Sequence, residues 1–391
     1  MERTESLCRE CLALYRELGD TWGIASCLSL LGSRARIKGH YGLACSLLEE
    51  AEVLFGQLGD RWKQGRCHVE LAWTATEQGQ YERAAALLSE NLKFCQVVGD
   101  QLSAAWVQFL LARTLFVSQH DKALAQRLAE QSLAFLQELG YDWLKAYPLS
   151  LLAQMHLAQG ELGLARERFE ESLVIVQEVG DREGAIETWL DLGRVEVAQG
   201  DLAVARRRYQ EALTILQEMG SQEFLAACLE GLAALEAAQG APSLAARLWG
   251  TAEVLREVMG TPMHPVYRAN YEQVRAQARA ALSKQAFRTA WAEGRAMTPQ
   301  QALVARAGQE WPTIMPQHLS APPSPLYPAG LTAREVEVLR LIAQGWTDAQ
   351  IAERLIISPR TVNRHTTSLY SKLSVSSRAS ATRYAIEHHL L

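Results

Sequence analysis

Ser358-Pro359-Arg360-Thr361-Val362-Asn363-Arg364-His365-Thr366-Thr367, near the end of this 391-residue chain, reads as the start of an exposed, basic helix. Ser358 is a favoured N-cap, because its hydroxyl accepts from an amide that has no partner inside the helix. Pro359 suits the first helical position, where a missing N–H costs nothing. Winding the segment at about 100° per residue sets Val362, Thr366, Leu369 and Leu373 on one side, with His365 and Tyr370 at its edges. Arg360, Asn363, Arg364, Thr367 and Ser371 point the other way. One side is built to pack and the other to read.

The residues upstream narrow this reading. Thr332 stands three residues before Glu335, a capping box that opens a helix with Val336, Leu339 and Ile342 inward, and Gly345 stops it. Thr347-Asp348 starts a short second helix carrying Ile351, Ala352 and Leu355, and Ile356-Ile357-Ser358 is the tight turn into the reading helix. Two helices joined by a short turn, the second polar and basic outward, form a helix-turn-helix pattern. Ser376-Ser377 caps a fourth helix through Ala379, Tyr384, Ala385 and Ile386.

Leu331-Thr-x-Arg-Glu, Glu337-Val338-Leu339, Gly345, Ile351-Ala352, Leu355, Ser358-Pro359, Thr361-Val362, His365, Lys372-Leu373 and Val375 together resemble the LuxR-type DNA-binding module across residues 331–391. The resemblance implies a reading helix in the major groove of double-stranded DNA. It also implies a fourth helix that pairs with a second copy, hence a homodimer on a two-half-site operator. Three departures bear on which sequence is read: Asn363 in place of a usual Lys or Arg, Thr366-Thr367 in place of a more apolar or basic pair, and Ser374 in place of a common Gly.

The chemistry of the outward face assigns roles. Arg364 suits bidentate bonding to guanine and Asn363 to adenine, each contact contributing about 1–3 kcal/mol of base discrimination. Arg360, Thr361, Thr367 and Lys372 are better placed on phosphates, which set register rather than sequence. Ser371 completes the expected DNA-binding set, and His365 is expected to be structural. From residue 331 onward eight Lys/Arg face five Asp/Glu, net +3, so a chain of net charge −5 carries −8 in its first 330 residues. DNA binding is therefore assigned to the C-terminal module, with a second copy supplying much of the phosphate neutralisation.

The N-terminal two-thirds is periodic. Gly19, Gly59, Gly99, Gly140, Gly180, Gly220 and Gly260 recur at steps of 40 residues with one step of 41, and four of them precede Asp. Gly39, Gly79, Gly160, Gly200 and Gly240 fall about halfway between, so each period holds two helices. The array resembles the tetratricopeptide repeat, lengthened to 40 residues. The clearest copy carries Leu192-Gly193, Ala205, Tyr209 and Ala212: small residues where paired helices approach, and a bulky one filling the next groove.

The fold expected is all-α: a tetratricopeptide-like helical-repeat solenoid over 1–306, a Pro-rich linker over 307–330 holding six of the twelve prolines, and a four-helix LuxR-type domain over 331–391. Six helix pairs are expected, then a degenerate seventh between His264 and Glu293, then a short helix from Thr298 to about Gly308. Residues 3–18 match only the second helix of a pair, with Cys8 and Cys11 at packing positions. That suggests the C-terminal part of a longer protein, and large LuxR-type regulators with a nucleotide-binding module ahead of such repeats are similar, as far as residues 245–306. The phosphate-binding loop of that module does not occur in this sequence.

By repeat register the inner lane of the solenoid includes Arg66, Trp73, Trp106, Phe109, Arg113, Tyr147 and Arg194, the aromatic and Arg types that partner surfaces favour, so a protein, peptide or small-molecule ligand is expected there. Seven cysteines without recurrent spacing fit a reduced cytosolic setting rather than a disulfide framework, and Cys8-x-x-Cys11, which lacks a second ligand pair for a metal, is expected to be two buried structural thiols. No apolar run reaches membrane length. No catalytic motif, metal cluster or cofactor loop is found. A sequence-specific transcription regulator follows, set against a protein-binding adaptor that acts mainly through the solenoid, with the helix-turn-helix as a dimerisation or residual element.

Overall fold

The 40-residue punctuation becomes geometry at each Gly-Asp pair. Gly19, Gly59, Gly99 and Gly180 take φ of +68°, +71°, +73° and +71°, the left-handed conformation that ends a helix without a Cβ clash. The Asp that follows caps the next helix: carboxylates of Asp20, Asp60, Asp100 and Asp181 accept from the backbone N–H three residues on, at 3.0 to 3.1 Å. One dipeptide thus stops one helix and starts another.

The structure, a computed structural model, describes residues 2–219, 221–304, 333–355, 359–373, 375 and 377–387. It forms two units, residues 1–310 and 311–391. All regular structure among the described residues is helical.

The first unit opens with α1 (Glu2–Leu18) and continues as six helix pairs: α2 (Thr21–Ile37) with α3 (Tyr41–Gln57), α4 (Arg61–Glu77) with α5 (Tyr81–Val98), α6 (Gln101–Ser118) with α7 (Lys122–Glu138), α8 (Ala146–Gln159) with α9 (Leu162–Val179), α10 (Arg182–Gln199) with α11 (Leu202–Met219), and α12 (Gln222–Ala238) with α13 (Pro242–Met259). The fully buried Tyr209 ring lies between Gly193 and Gly231, each of whose Cβ positions falls 2.6 Å from it. Small and bulky residues therefore interlock between repeats as their spacing suggests. At α1 the register differs from expectation: Leu12 packs inward beside Cys8 and Tyr15, while Cys11 is exposed.

The seventh pair departs from the array. α15 (Lys284–Ala296) packs directly on α13, while α14 (Pro265–Ala280) turns inward against α6, α12 and α13. Glycines make the α13–α15 crossing close, since a Cβ on Gly294 would lie 2.0 Å from the Arg247 carbonyl oxygen and one on Gly250 would lie 2.4 Å from that of Trp291. Thr251 Oγ1 donates across the same crossing to the Gly294 carbonyl at 2.8 Å. α16 (Pro299–Val304) follows, capped reciprocally by Thr298 and Gln301, and its expected end near Gly308 lies outside the described residues.

The first unit also closes on itself. Tyr41, at the start of α3, packs with Ala226 and Met259 and donates to Glu223, across 182 residues of chain. Tyr81 pairs with His264 at 3.0 Å and Gln119 with the Pro265 carbonyl at 3.1 Å. The inner lane of the expected solenoid faces in the structure a lumen, into which His264 and Tyr267 of the same chain reach.

The second unit contains α17 (Ala333–Ala343), α18 (Asp348–Leu355), α19 (Pro359–Leu373) and α20 (Arg378–Glu387). Gly345, at φ +86°, ends α17 as expected. Thr332, Ser358, Ser374, Ser376, the turn at 356–358 and the Pro-rich stretch at 307–330 lie outside the described residues.

Candidate nucleic-acid interface and array lumen

The position of α19 follows from two small cores. Val362 packs with Val338, Ile342, Ile351 and Ala352, and Leu369 and Leu373 pack with Leu339, Ala381 and Ala385. α18 is started by a capping box that the sequence reading did not pick out: Thr347 N donates to Gln350 Oε1 at 2.9 Å and Gln350 N to Thr347 Oγ1 at 3.3 Å. Arg378 ties the start of α20 to Asp348 at 2.8 Å and to the Trp346 carbonyl. α19 is thus fixed at both ends by apolar packing, and the helix before it by caps and an ion pair.

The two faces of α19 separate as its winding requires. Val362, Thr366, Leu369 and Leu373 are buried, His365 and Tyr370 are half-buried at the edges, and Asn363, Thr367 and Lys372 are exposed. Thr366 and Thr367 donate their hydroxyl protons to the carbonyls of Val362 and Asn363, both at 2.9 Å. A Thr367 hydroxyl so engaged keeps only lone pairs for a ligand, so to donate to a phosphate it must first release its own helix. Arg360, Thr361, Arg364 and Ser371 lie on the same helix, and their side chains are outside the described residues.

In the first unit, the residues expected on the inner lane differ in their environments. Trp106, Phe109 and Tyr147 form one aromatic group, with centroids 4.9 Å apart for Trp106–Tyr147 and 5.1 Å for Trp106–Phe109. Trp73 lies beneath two guanidinium groups, Arg36 at 4.7 Å and Arg113 at 5.2 Å. Arg194 pairs with Asp191 at 2.5 Å and covers the Tyr267 ring of α14. Arg66 occupies the register of Trp106 and Tyr147 and is exposed.

Buried charge holds the lumen together. Glu77, only 4 % exposed, accepts from Arg113 at 2.6 Å and meets His264 Nε2 at 3.3 Å, so one carboxylate joins α4, α6 and the segment leading into α14. Burial opposes its charge, but Arg113 and His264 more than offset that and hold the carboxyl well below its usual range. Glu187 makes no ion pair among the described residues, and the attraction of the Arg113 guanidinium does not offset its burial. Burial pushes its carboxyl up to about 7, with Gln154 Nε2 as its contact at 3.5 Å. Glu223 is pushed up to about 8 by burial and by the nearby Glu77 charge.

Sequence reasoning passed over Glu187, Ser150 and Gln154, although register alone places them. Glu187 stands 40 residues after Tyr147, Gln154 stands 41 after Arg113, and Ser150 stands 41 after Phe109. Attention to aromatic and Arg side chains hid the polar members of the same lane.

Comparison with known proteins matches both units. The model of bacterial regulatory proteins, luxR family, matches residues 329–385, and that of the tetratricopeptide repeat matches residues 145–218. The transcriptional regulatory protein LiaR of Bacillus subtilis is 49% identical over 61 residues, 16% of this chain and 29% of that protein. An HTH-type transcriptional regulator of Mycobacterium bovis is 30% identical over 122 residues, 29% of this chain and 12% of that protein. The chain thus spans less than a third of the length of either relative. The Rap conjugation gene regulator of plasmid pLS20, solved in complex with a Phr peptide, shares the fold at 18% identity and a TM-score of 0.50, over 68% of this chain and 76% of that one. Residues 329–385 thus carry a luxR-family regulatory domain, and the helical array that precedes them in the chain matches the tetratricopeptide repeat over residues 145–218.

Proposed function

We propose that the protein is a sequence-specific DNA-binding transcription regulator, acting in the cytoplasm as a homodimer on a two-half-site operator, and that its array receives a ligand or partner which governs DNA binding. The observation that carries this is the division of α19: four residues of one face are sealed in the domain core while Asn363, Thr367 and Lys372 stand in solvent. A helix anchored on one side and polar on the other, behind a short capped helix, is what a duplex groove admits. The sites proposed for DNA are Arg360, Thr361, Asn363, Arg364, Thr367, Ser371 and Lys372. The division of the chain into array, Pro-rich linker and DNA module at 306 and 331 remains part of this proposal.

Array sensing is supported by the polar groups of the lumen, where Glu77 meets Arg113 between α4 and α6 and Gln154 meets Asp191 between α8 and α10. The solved Rap regulator holds a peptide; for this chain that likeness extends to the fold.

Substitution on α19 tests the reading. Arg364→Ala is expected to relax sequence choice, at a cost of about 1–3 kcal/mol on the preferred site. Arg360→Ala is expected to weaken all duplexes about equally and to flatten the salt slope by about one unit. Equal DNA retention by parent and both variants at low salt would favour the alternative, a protein-binding adaptor that works mainly through the array.

A further inference from the structure

A narrow cleft opens into the lumen between α6, α8 and α10, lined by Phe109, Arg113, Tyr147, Ser150, Gln154 and Glu187 among others. Its polar groups are of two kinds. Those carrying positive charge are already engaged: Arg113 pairs with Glu77 at 2.6 Å, and nearby Arg194 pairs with Asp191 at 2.5 Å. The Gln154 amide donates to Asp191 at 2.7 Å, and its oxygen accepts from Tyr267 at 3.3 Å. Those left over are acceptors. Glu187 has no ion pair among the described residues, and it accepts a long hydrogen bond from Gln154 at 3.5 Å. The hydroxyl of Ser150, a residue 8 % exposed, has no hydrogen-bond partner among the described residues.

A half-buried carboxyl that feels the Arg113 guanidinium without pairing with it, in the same cleft as a hydroxyl without a partner, is costly unless something else completes the site. The wall beside them consists of Tyr147 and Phe109 with ring centroids 5.7 Å apart, extended by Trp106. Aromatic faces attract cations, which adds to the preference of the carboxylate. The space within is about 10 Å³, enough for one water-sized group. A cation that fits must therefore be compact and must carry several N–H donors.

We propose that this cleft binds a primary ammonium group, held by Glu187 and Ser150 against the Tyr147 and Phe109 rings. Two sources share that chemistry, the free amine of a peptide and a small aliphatic polyamine. The assignment rests on the proposal that the array receives a ligand, and it names the group recognised. Burial supports it: a carboxyl pushed up to about 7 gains its charge most readily when a cation arrives beside it. Size supports it too, since three methyl groups on the nitrogen would exceed the space and remove the donors.

Calorimetric titration of the full chain at pH 8 tests this, with 1,5-diaminopentane for the polyamine source, tetra-alanine amide for the peptide source, and tetramethylammonium and N-acetylated tetra-alanine amide as controls. The expected result is binding of at least one free amine and of neither control. Glu187→Gln should weaken that binding about tenfold or more, and Ser150→Ala several-fold. Unchanged helicity and urea midpoint of Glu187→Gln would show that the fold is kept. Diaminopentane binding alone would identify the polyamine source, and tetra-alanine amide binding alone the peptide source.

No binding of either amine at millimolar concentration, or equal binding by parent and Glu187→Gln, would overturn the site. DNA retention read in the same samples separates this from the parent reading. Amine binding that leaves DNA retention unchanged upholds the site and removes its role in regulation. A ligand of other chemistry that alters DNA retention while amines fail to bind upholds array sensing and removes the site.

Discussion

Arg113→Met is expected to lower the stability of the array by about 3–5 kcal/mol, read as a fall in the urea midpoint. The cause is the carboxylate left behind. Glu77 is 4 % exposed and draws its charge stabilisation first from Arg113, at 2.6 Å, and then from His264, at 3.3 Å. Without the guanidinium it must hold a buried charge beside a single imidazole, and the Trp73 ring loses the cation 5.2 Å above it. A second substitution isolates the cause: Glu77→Gln together with Arg113→Met should recover most of the loss, because an amide carries no charge to strand. If the double variant is less stable than the single one by the full cost of a lone Glu77→Gln, the pair is not coupled and the electrostatic account of the lumen fails.

Gly294→Ala is expected to detach α15 from α13, at a cost of about 3 kcal/mol or more. A methyl group there would lie 2.0 Å from the Arg247 carbonyl oxygen, which belongs to helix backbone and has no rotamer to change. The measurement is amide exchange over Lys284–Ala296, which should speed up sharply while α4 to α9 remain protected. Gly163→Ala is the control. Gly163 lies on α9 with nothing within 4 Å of the added carbon, so helix propensity should make that change neutral or slightly stabilising. Equal protection of α15 in both variants would contradict the close crossing.

How much of this was legible in the sequence differs between the units. Gly and Asp at 40-residue steps carry their own conformations, one left-handed and one capping, so helix order was readable from Asp20, Asp60, Asp100 and Asp181. The winding of α19 separated Val362 and Leu369 from Asn363 and Thr367 for the same reason: a regular helix fixes which residues share a side. Closure was not legible. It depends on Tyr41 meeting Glu223 and His264 meeting Glu77, pairs more than 180 residues apart, and no local rule joins them. The inward turn of α14 was hidden likewise, since its sequence is as helical as its neighbours and only Gly250 and Gly294 mark where α15 takes over the packing on α13.

The lumen shows what a residue-type filter leaves out. Looking for aromatic and Arg side chains found Trp106 and Tyr147 but missed Glu187, which occupies the same register. Position in a repeat is fixed by the helices, whereas residue type varies with what each repeat must contact. The polar positions therefore differ most from copy to copy, and only the coordinates reveal which of them lack a partner.

The central claim is that the outward side of α19 reads duplex DNA. The most direct measurement is selection of bound fragments from a random duplex pool by the whole chain, repeated with the Asn363→Ala/Arg364→Ala variant. The account predicts enrichment of a two-fold symmetric site by the parent chain and its loss in the variant, while weak, salt-sensitive retention of unrelated DNA persists. The same enriched site from parent and variant, or no enrichment from either, would contradict it.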